Sequence, residues 1–133
     1  MHNYQIFLKK FKNAVADAGR DINEITIIAV SKRKSFEEIS KVIELGHKSF
    51  GENQIQEVEN KWNNFQTSNK HVNLHYIGTI QSRKTEAIFS SCDYIHSIDR
   101  LKIVEQIKKY EDQQNCIKKY FIQINTGNET QKS

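Results

Sequence analysis

The sequence predicts an α/β fold in which the strands of one parallel sheet alternate with helices, in the manner of an incomplete TIM-type barrel. Three observations predict it. Ile25 to Val30, reading I-T-I-I-A-V, is apolar or β-branched throughout with no helical spacing, the pattern of a short strand covered on both faces. Comparable runs recur roughly every 20 to 25 residues, each followed by an amphipathic segment, which is the period of repeated βα units. The chain has 133 residues, enough for one ordinary domain with its own core. Right-handed crossovers curl such a sheet toward an eight-stranded barrel, yet closed barrels of this kind take at least ~200 residues. About five units therefore imply an open sheet or the front part of a barrel.

Taken in order, residues 1–24 form a helix and lead-in, and residues 25–133 form about five βα units of a single partial domain. Tyr4, Phe7, Leu8, Phe11 and Val15 make one apolar helical stripe that ends near Gly19. After the first strand, Ser35-Phe36-Glu37-Glu38 is a capping box: the Ser35 hydroxyl bonds the Glu38 amide and the Glu38 carboxylate reaches back. The helix that starts there buries Ile39, Val42 and Ile43 and stops at Gly46. Ser49 to Asn53 is a second strand, leading into a helix with Ile55, Val58, Trp62 and Phe65 on one face, which Asn53 could cap. Gln66 to Asn73 reads as a polar surface loop, and Leu74 to Gly78 as a third strand. Gln81 to about Ser90 is a helix, and Asp93 to Ile98 a fourth strand. Asp99 is placed to cap a helix carrying Leu101, Ile103, Val104 and Ile107. Lys119 to Asn125 is a fifth strand, followed by a polar tail from Thr126 to Ser133.

Composition narrows the function classes. The hydrophobic fraction is 37% and the mean hydropathy −0.71, with no apolar run near the ~20 residues of a membrane helix and no signal peptide at Met1-His2-Asn3-Tyr4. These features predict a cytoplasmic protein without membrane contact. Cys92 and Cys116 lack C-x-x-C spacing and a partnered histidine cluster, which argues for core packing over a disulfide framework or a metal site. His47 and His71 read as surface residues. The net charge of +4 permits contact with phosphates, but the lysines are dispersed among glutamates, so a nucleic-acid partner is not expected.

The strongest chemical candidate is Lys32. It stands where the first strand runs out, and ligands in α/β folds bind at the carboxyl ends of parallel strands. A lysine amine held against apolar walls has a lowered pKa and can form a Schiff base with an aldehyde. Lys32-Arg33-Lys34 as a solvated basic turn is the alternative that these residues leave open.

Five motifs then carry a resemblance. A-V-S-K at Ala29 to Lys32, F-G-E-N-Q-I-Q-E at Phe50 to Glu57, H-Y-I-G-T-I-Q-S-R-K at His75 to Lys84, H-S-I-D at His96 to Asp99 and Q-I-N-T-G-N-E-T-Q-K at Gln123 to Lys132 resemble, in order and spacing, the pyridoxal phosphate homeostasis protein family. That family's fold is similar to the barrel domain of alanine racemase, at whose N terminus this domain lies. The resemblance runs from about Glu24 to the end of the chain. It implies that Lys32 holds pyridoxal 5'-phosphate (PLP) as a Schiff base and that Asn53 and His75 line the cofactor pocket. It also implies a non-catalytic role in intracellular cofactor homeostasis, with PLP-dependent apo-enzymes as recipients. Asn53 as a helix cap and His75 as a buried strand histidine remain open beside those roles. Two departures stand out. Ser35 occupies a position where the family often has proline, a change the capping box absorbs. The family's phosphate-binding turns and the arginine that faces the pyridine nitrogen lie in later strands, and nothing here matches them, so the chain reads as truncated after about the fifth strand. An open sheet of this kind exposes two edges and invites self-association.

Three other functions compete. A PLP-dependent racemase-type enzyme would share the fold, but no second acid/base pair stands opposite Lys32 in the sequence. A basic module contacting RNA or another polyanion would use Lys32, Arg33, Lys34, Arg83 and Lys84. A truncated relic without present function is the fourth reading.

Overall fold

The computed structural model describes residues 2–66, 72–127 and 130. Five strands form one parallel sheet whose spatial order follows the chain: β1 (Ala29–Val30), β2 (Ser49–Glu52), β3 (Asn73–Tyr76), β4 (Tyr94–Ile98) and β5 (Lys119–Ile122). The intervening helices are α2 (Phe36–Glu44), α3 (Ile55–Gln66), α4 (Thr85–Ser91) and α5 (Leu101–Gln114), and α1 (His2–Asp17) precedes the sheet. Consecutive strands thus pair side by side through helical crossovers, the arrangement of a barrel wall, and among the described residues the sheet stays open at β1 and β5.

Side-chain alternation assigns the two faces. Phe50, Leu74, Tyr76 and Ile95 point from the strands into one core with Ile39 of α2, Ile55, Val58 and Trp62 of α3, Ile88 and Phe89 of α4, and Ile103 and Ile107 of α5. Fully burying one such side chain contributes roughly 1.5–3 kcal/mol, so this face holds the helices on the sheet. Cys92 is buried in the same core, whereas Cys116 is only half-buried, and both are free thiols. Burial pushes the Cys92 thiol up to about 12.

Local signals explain most boundaries. Ser35 and Glu38 form the expected capping box at the start of α2. Gly19 and Gly46 follow α1 and α2 with φ of +64° and +90°, a conformation that glycine adopts without steric cost. In the third βα turn, Gly78 leaves room for the neighbouring backbone: a Cβ there would lie 2.1 Å from the Asn53 carbonyl oxygen.

Four expectations are corrected. The first strand is two residues long, not six, and it is not covered on both faces: Val30, on the face turned away from the helices, is 50% exposed. Asp99 does not cap α5; Arg100 holds that position without a side-chain cap, while Asp99 pairs with the Arg100 guanidinium at 2.7 Å. The helix expected from Gln81 opens as a 3-10 turn over Ser82–Lys84 before α4. His47 is no surface residue: its Nε2 donates to the Ser49 carbonyl at 2.8 Å, which leaves Nδ1 to accept from the Tyr4 hydroxyl at 2.7 Å. This histidine ties α1 to the sheet. His71 and most of the expected loop between α3 and β3 lie outside the described residues, as does much of the polar tail. Among the described residues, no helix is long and apolar enough to cross a membrane.

The two tight glycines differ in what they meet. A Cβ on Gly51 would contact only the Ile28 and Ile77 side chains, at 3.0 and 3.3 Å, and side chains can yield. Gly78→Ala is therefore expected to destabilise the fold by about 2 kcal/mol or more and Gly51→Ala by roughly half that or less. Urea midpoints of the two variants check the order.

Candidate functional site

The strand ends converge by register. Val30 pairs with Gly51 and Gly51 with His75, while His75 pairs with Tyr94, so these residues share the sheet face turned away from the helices. Gly51 lies between the Ile28 and Ile77 side chains, which close over the place a side chain would take. Beside it, His75 stacks on Tyr94 with ring centroids 4.1 Å apart, and His96 stacks on Phe121 at 4.4 Å. The two imidazoles meet through His75 Nδ1 and His96 Nε2, 2.9 Å apart. One of these nitrogens donates and the other accepts.

His75 is 3% exposed, yet its Nε2 has no hydrogen-bond partner among the described residues. An unpaired buried polar group costs roughly 1–3 kcal/mol, and such orphans mark places where a ligand or water completes the bonding. Burial and the neighbouring His96 hold the His75 imidazolium down, to about 4. His75 is therefore neutral at ordinary pH and can offer a single donor or acceptor at Nε2.

Lys32 is exposed in the turn that follows β1; it is not enclosed by apolar walls. Its backbone neighbours are held firmly. The Ser31 amide donates to the Gly51 carbonyl at 2.9 Å, and the Ser31 hydroxyl donates to Glu52 Oε1 at 2.7 Å. The Ser31 carbonyl accepts from Lys61 Nζ at 2.9 Å. On the other side, the Arg33 amide donates to both oxygens of Glu57, at 2.9 and 3.1 Å. Arg33 has φ +61°, a left-handed conformation that costs roughly 1–2 kcal/mol in a non-glycine residue; hydrogen bonds to a charged group, worth about 1.5–3 kcal/mol, offset it.

Lys61 joins these groups. It pairs with Glu57 at 2.6 Å and with Glu52 at 2.9 Å, and its side chain is 12% exposed. Glu52 is fully buried on the helix side; its Oε1 also accepts from Trp62 Nε1 at 3.1 Å, while Oε2 has no partner among the described residues. Lys61 beside Glu57 lowers that carboxyl to about 2, so it remains an acceptor for the Arg33 amide across the physiological range. Sequence reasoning missed Ser31, Glu57 and Lys61. Two signals were present: a glutamate inside the apolar strand S-F-G-E, and the Glu57-to-Lys61 spacing of four on one helix face.

Asn53 is half-buried at the end of β2, where its carbonyl accepts from the Tyr76 hydroxyl at 3.3 Å. The Gln54 carbonyl, not Asn53, receives the first α3 amides, from Glu57 and Val58. Lys34 of the basic rim is neutralised by Glu38 at 3.2 Å, whereas Lys84 donates to the neutral Gln56 amide oxygen at 3.4 Å. Register and turns thus bring Lys32, Asn53 and His75 to the carboxyl ends of three adjacent strands.

Comparison with known proteins follows the same outline. No family model matches the chain. It is 35% identical over 133 residues to a protein of Escherichia coli K12 named pyridoxal phosphate homeostasis protein, covering 99% of this chain and 57% of that one. The protein of the same name in Haemophilus influenzae is 30% identical over 132 residues, covering 99% and 56%. The chain thus spans about half the length of the curated relatives it matches. Among solved structures, PipY of Synechococcus elongatus with PLP bound superposes with TM-score 0.77 at 23% identity, covering 89% of this chain and 55% of PipY. A protein of unknown function from Bifidobacterium adolescentis gives TM-score 0.85 at 25% identity, covering 97% and 56%.

The low value at His75 has a measurable consequence. In the unfolded chain this histidine takes up a proton near its ordinary 6.5, whereas in the folded chain it does so only near 4. The unfolded state binds more protons in that window, so stability is full above about pH 6.5 and falls as pH drops toward 4. Urea unfolding at pH 7 and pH 5 should show this loss, and His75→Gln should reduce it. An unchanged loss in the variant would assign the acid sensitivity to other groups.

Proposed function

This chain is a relative of the pyridoxal phosphate homeostasis proteins over essentially its whole length, and on that premise we propose that it binds PLP as a non-catalytic cytoplasmic carrier, with Lys32 as the amine that bonds the aldehyde. The observation that carries the reading is the unpartnered Nε2 of buried His75, on the sheet face it shares with Gly51. A flat, polar aromatic ligand seated on that face could complete the bonding of that nitrogen. Bound PLP supplies a reactive aldehyde on an electron-withdrawing ring.

The chain's own residues fit the aldehyde and ring end of such a ligand. Lys32 is exposed on a pinned turn, so its amine is reachable while its backbone is fixed. Asn53 offers an amide at the neighbouring strand end, and His75 offers one hydrogen bond beneath. His75 and His96 bond each other, which favours a holding site over a pair of opposed acid and base groups. Recipients of the cofactor are PLP-dependent apo-enzymes. Self-association is a further expected property, because Ile122 and Ile124 are 78% and 73% exposed along the β5 edge; sedimentation at rising concentration measures it, and a monomer throughout would count against it.

Adding PLP to the purified chain, reducing with borohydride and mapping the adduct by peptide mass tests the site. A single adduct on Lys32, abolished in Lys32→Ala, is the expected result; labelling scattered over many lysines would overturn the reading. The resemblance implies that the family's phosphate-binding turns lie in later strands. Accordingly 5'-deoxypyridoxal, which keeps the aldehyde but lacks the phosphate, should label Lys32 within about threefold of PLP, well short of the effect of a charge-assisted phosphate cradle.

A further inference from the structure

Lys32 is flanked by two peptide groups, and side chains of one helix hold both. Lys61 Nζ donates to the Ser31 carbonyl at 2.9 Å, and both Glu57 oxygens accept from the Arg33 amide at 2.9 and 3.1 Å. Neither contact is needed for the adjoining secondary structure. β1 is joined to β2 through the Ser31 amide and the Gly51 carbonyl, and α2 starts from its own Ser35–Glu38 capping box. Glu52, buried behind the turn, anchors Lys61 at 2.9 Å and the Ser31 hydroxyl at 2.7 Å. The residue left between these holds is Lys32.

We propose that Lys61 and Glu57 are positioning residues that clamp the turn on both sides of Lys32 and so set how readily its amine meets an aldehyde. This rests on the reading of Lys32 given above. The clamp acts on backbone: Lys61 fixes the peptide that enters Lys32, Glu57 fixes the peptide that leaves it, and the Lys61–Glu57 pair at 2.6 Å couples the two. With the clamp released, only the bond from the Lys34 amide to the Ser31 carbonyl, at 3.1 Å, spans the turn, so Arg33 can leave its left-handed conformation and the exposed Lys32 amine is spread over more directions.

Two readouts test this on the whole chain. The first needs no cofactor: amide hydrogen exchange at Arg33 should be slow in the parent and faster by about tenfold or more in Lys61→Met and Glu57→Gln, the loss expected for a hydrogen bond to a charged group. The second is the share of reduced PLP adduct on Lys32 relative to all other lysines. That share should fall by about fivefold or more in both variants, with circular dichroism unchanged, and recover in Lys61→Arg, which keeps the charge and its donors. Parent-like exchange and parent-like labelling in a folded variant would overturn the proposal. If Lys61→Met does not fold, Glu57→Gln carries the same test, because it conserves side-chain volume and leaves the Lys61–Glu52 pair in place. A parent chain with no preference for Lys32 would refute the cofactor reading by itself, while the Arg33 exchange would still decide whether the clamp exists.

Discussion

A single ammonium group, Lys61 Nζ, holds together parts of the chain that are far apart in sequence. It reaches the Ser31 carbonyl, the buried Glu52 and the half-exposed Glu57, and so joins the end of β1, the end of β2 and the first turns of α3. A largely buried charge is tolerable only when it is paired and hydrogen-bonded, and this one has three oxygen partners. Their arrangement matters most at β1, whose two ladder residues give it little intrinsic hold on the sheet. Ser31 makes up for that through its amide, hydroxyl and carbonyl together. Without the side chains of this cluster, the turn carrying Lys32 would keep only its backbone bonds, from the Ser31 amide to Gly51 and from the Lys34 amide to Ser31.

The two faces of the sheet have different chemistry because alternation along each strand separates them. Toward the helices, aliphatic and aromatic groups interdigitate around Phe50, Trp62 and Leu74, all nearly or fully inaccessible. On the opposite face lie a glycine, two imidazoles and two aromatic rings in stacked pairs. The helix side, by contrast, has been closed by aliphatic packing. The two sides meet at the strand ends, where Gly78 lets the β3 turn press against the Asn53 backbone.

Much of this was legible in the sequence wherever the signal was local. The Ser35–Glu38 box, the helical stripes and the strands through Phe50, Leu74 and Ile95 depend on neighbours in the chain, and the structure has them close to where periodicity indicated. Recurrence of the strand–helix unit also gave the parallel sheet. What escaped depends on register. Ile25 to Val30 is apolar enough for a covered strand, but cover depends on what packs on each face, and among the described residues the face that carries Val30 is left half-exposed. His47 looked exposed because nothing in its surroundings in sequence reveals Tyr4, 43 residues earlier. Lys61 was likewise one helix-surface lysine among many until the alignment of β1 with β2 set Ser31 and Glu52 before it. The contact between His75 and His96 needed the β3–β4 register as well, and of the two only His75 was a candidate in the sequence.

The coincidence of spatial and sequence order in the sheet bears on how the chain acquires its structure. From β2 onward, each described strand pairs with the strand synthesised just before it. Each pairing closes a loop of about 20 residues, close to the length a helical crossover between parallel strands needs, and loop entropy grows only slowly with length. Each new βα unit can settle onto the edge left by its predecessor while synthesis continues. Lys61 fits this sequence of events: β1 is held weakly as it forms, and the residue that secures it arrives with α3, after β2 has supplied Glu52. The turn around Lys32 is therefore secured only when the second helix after its strand has formed.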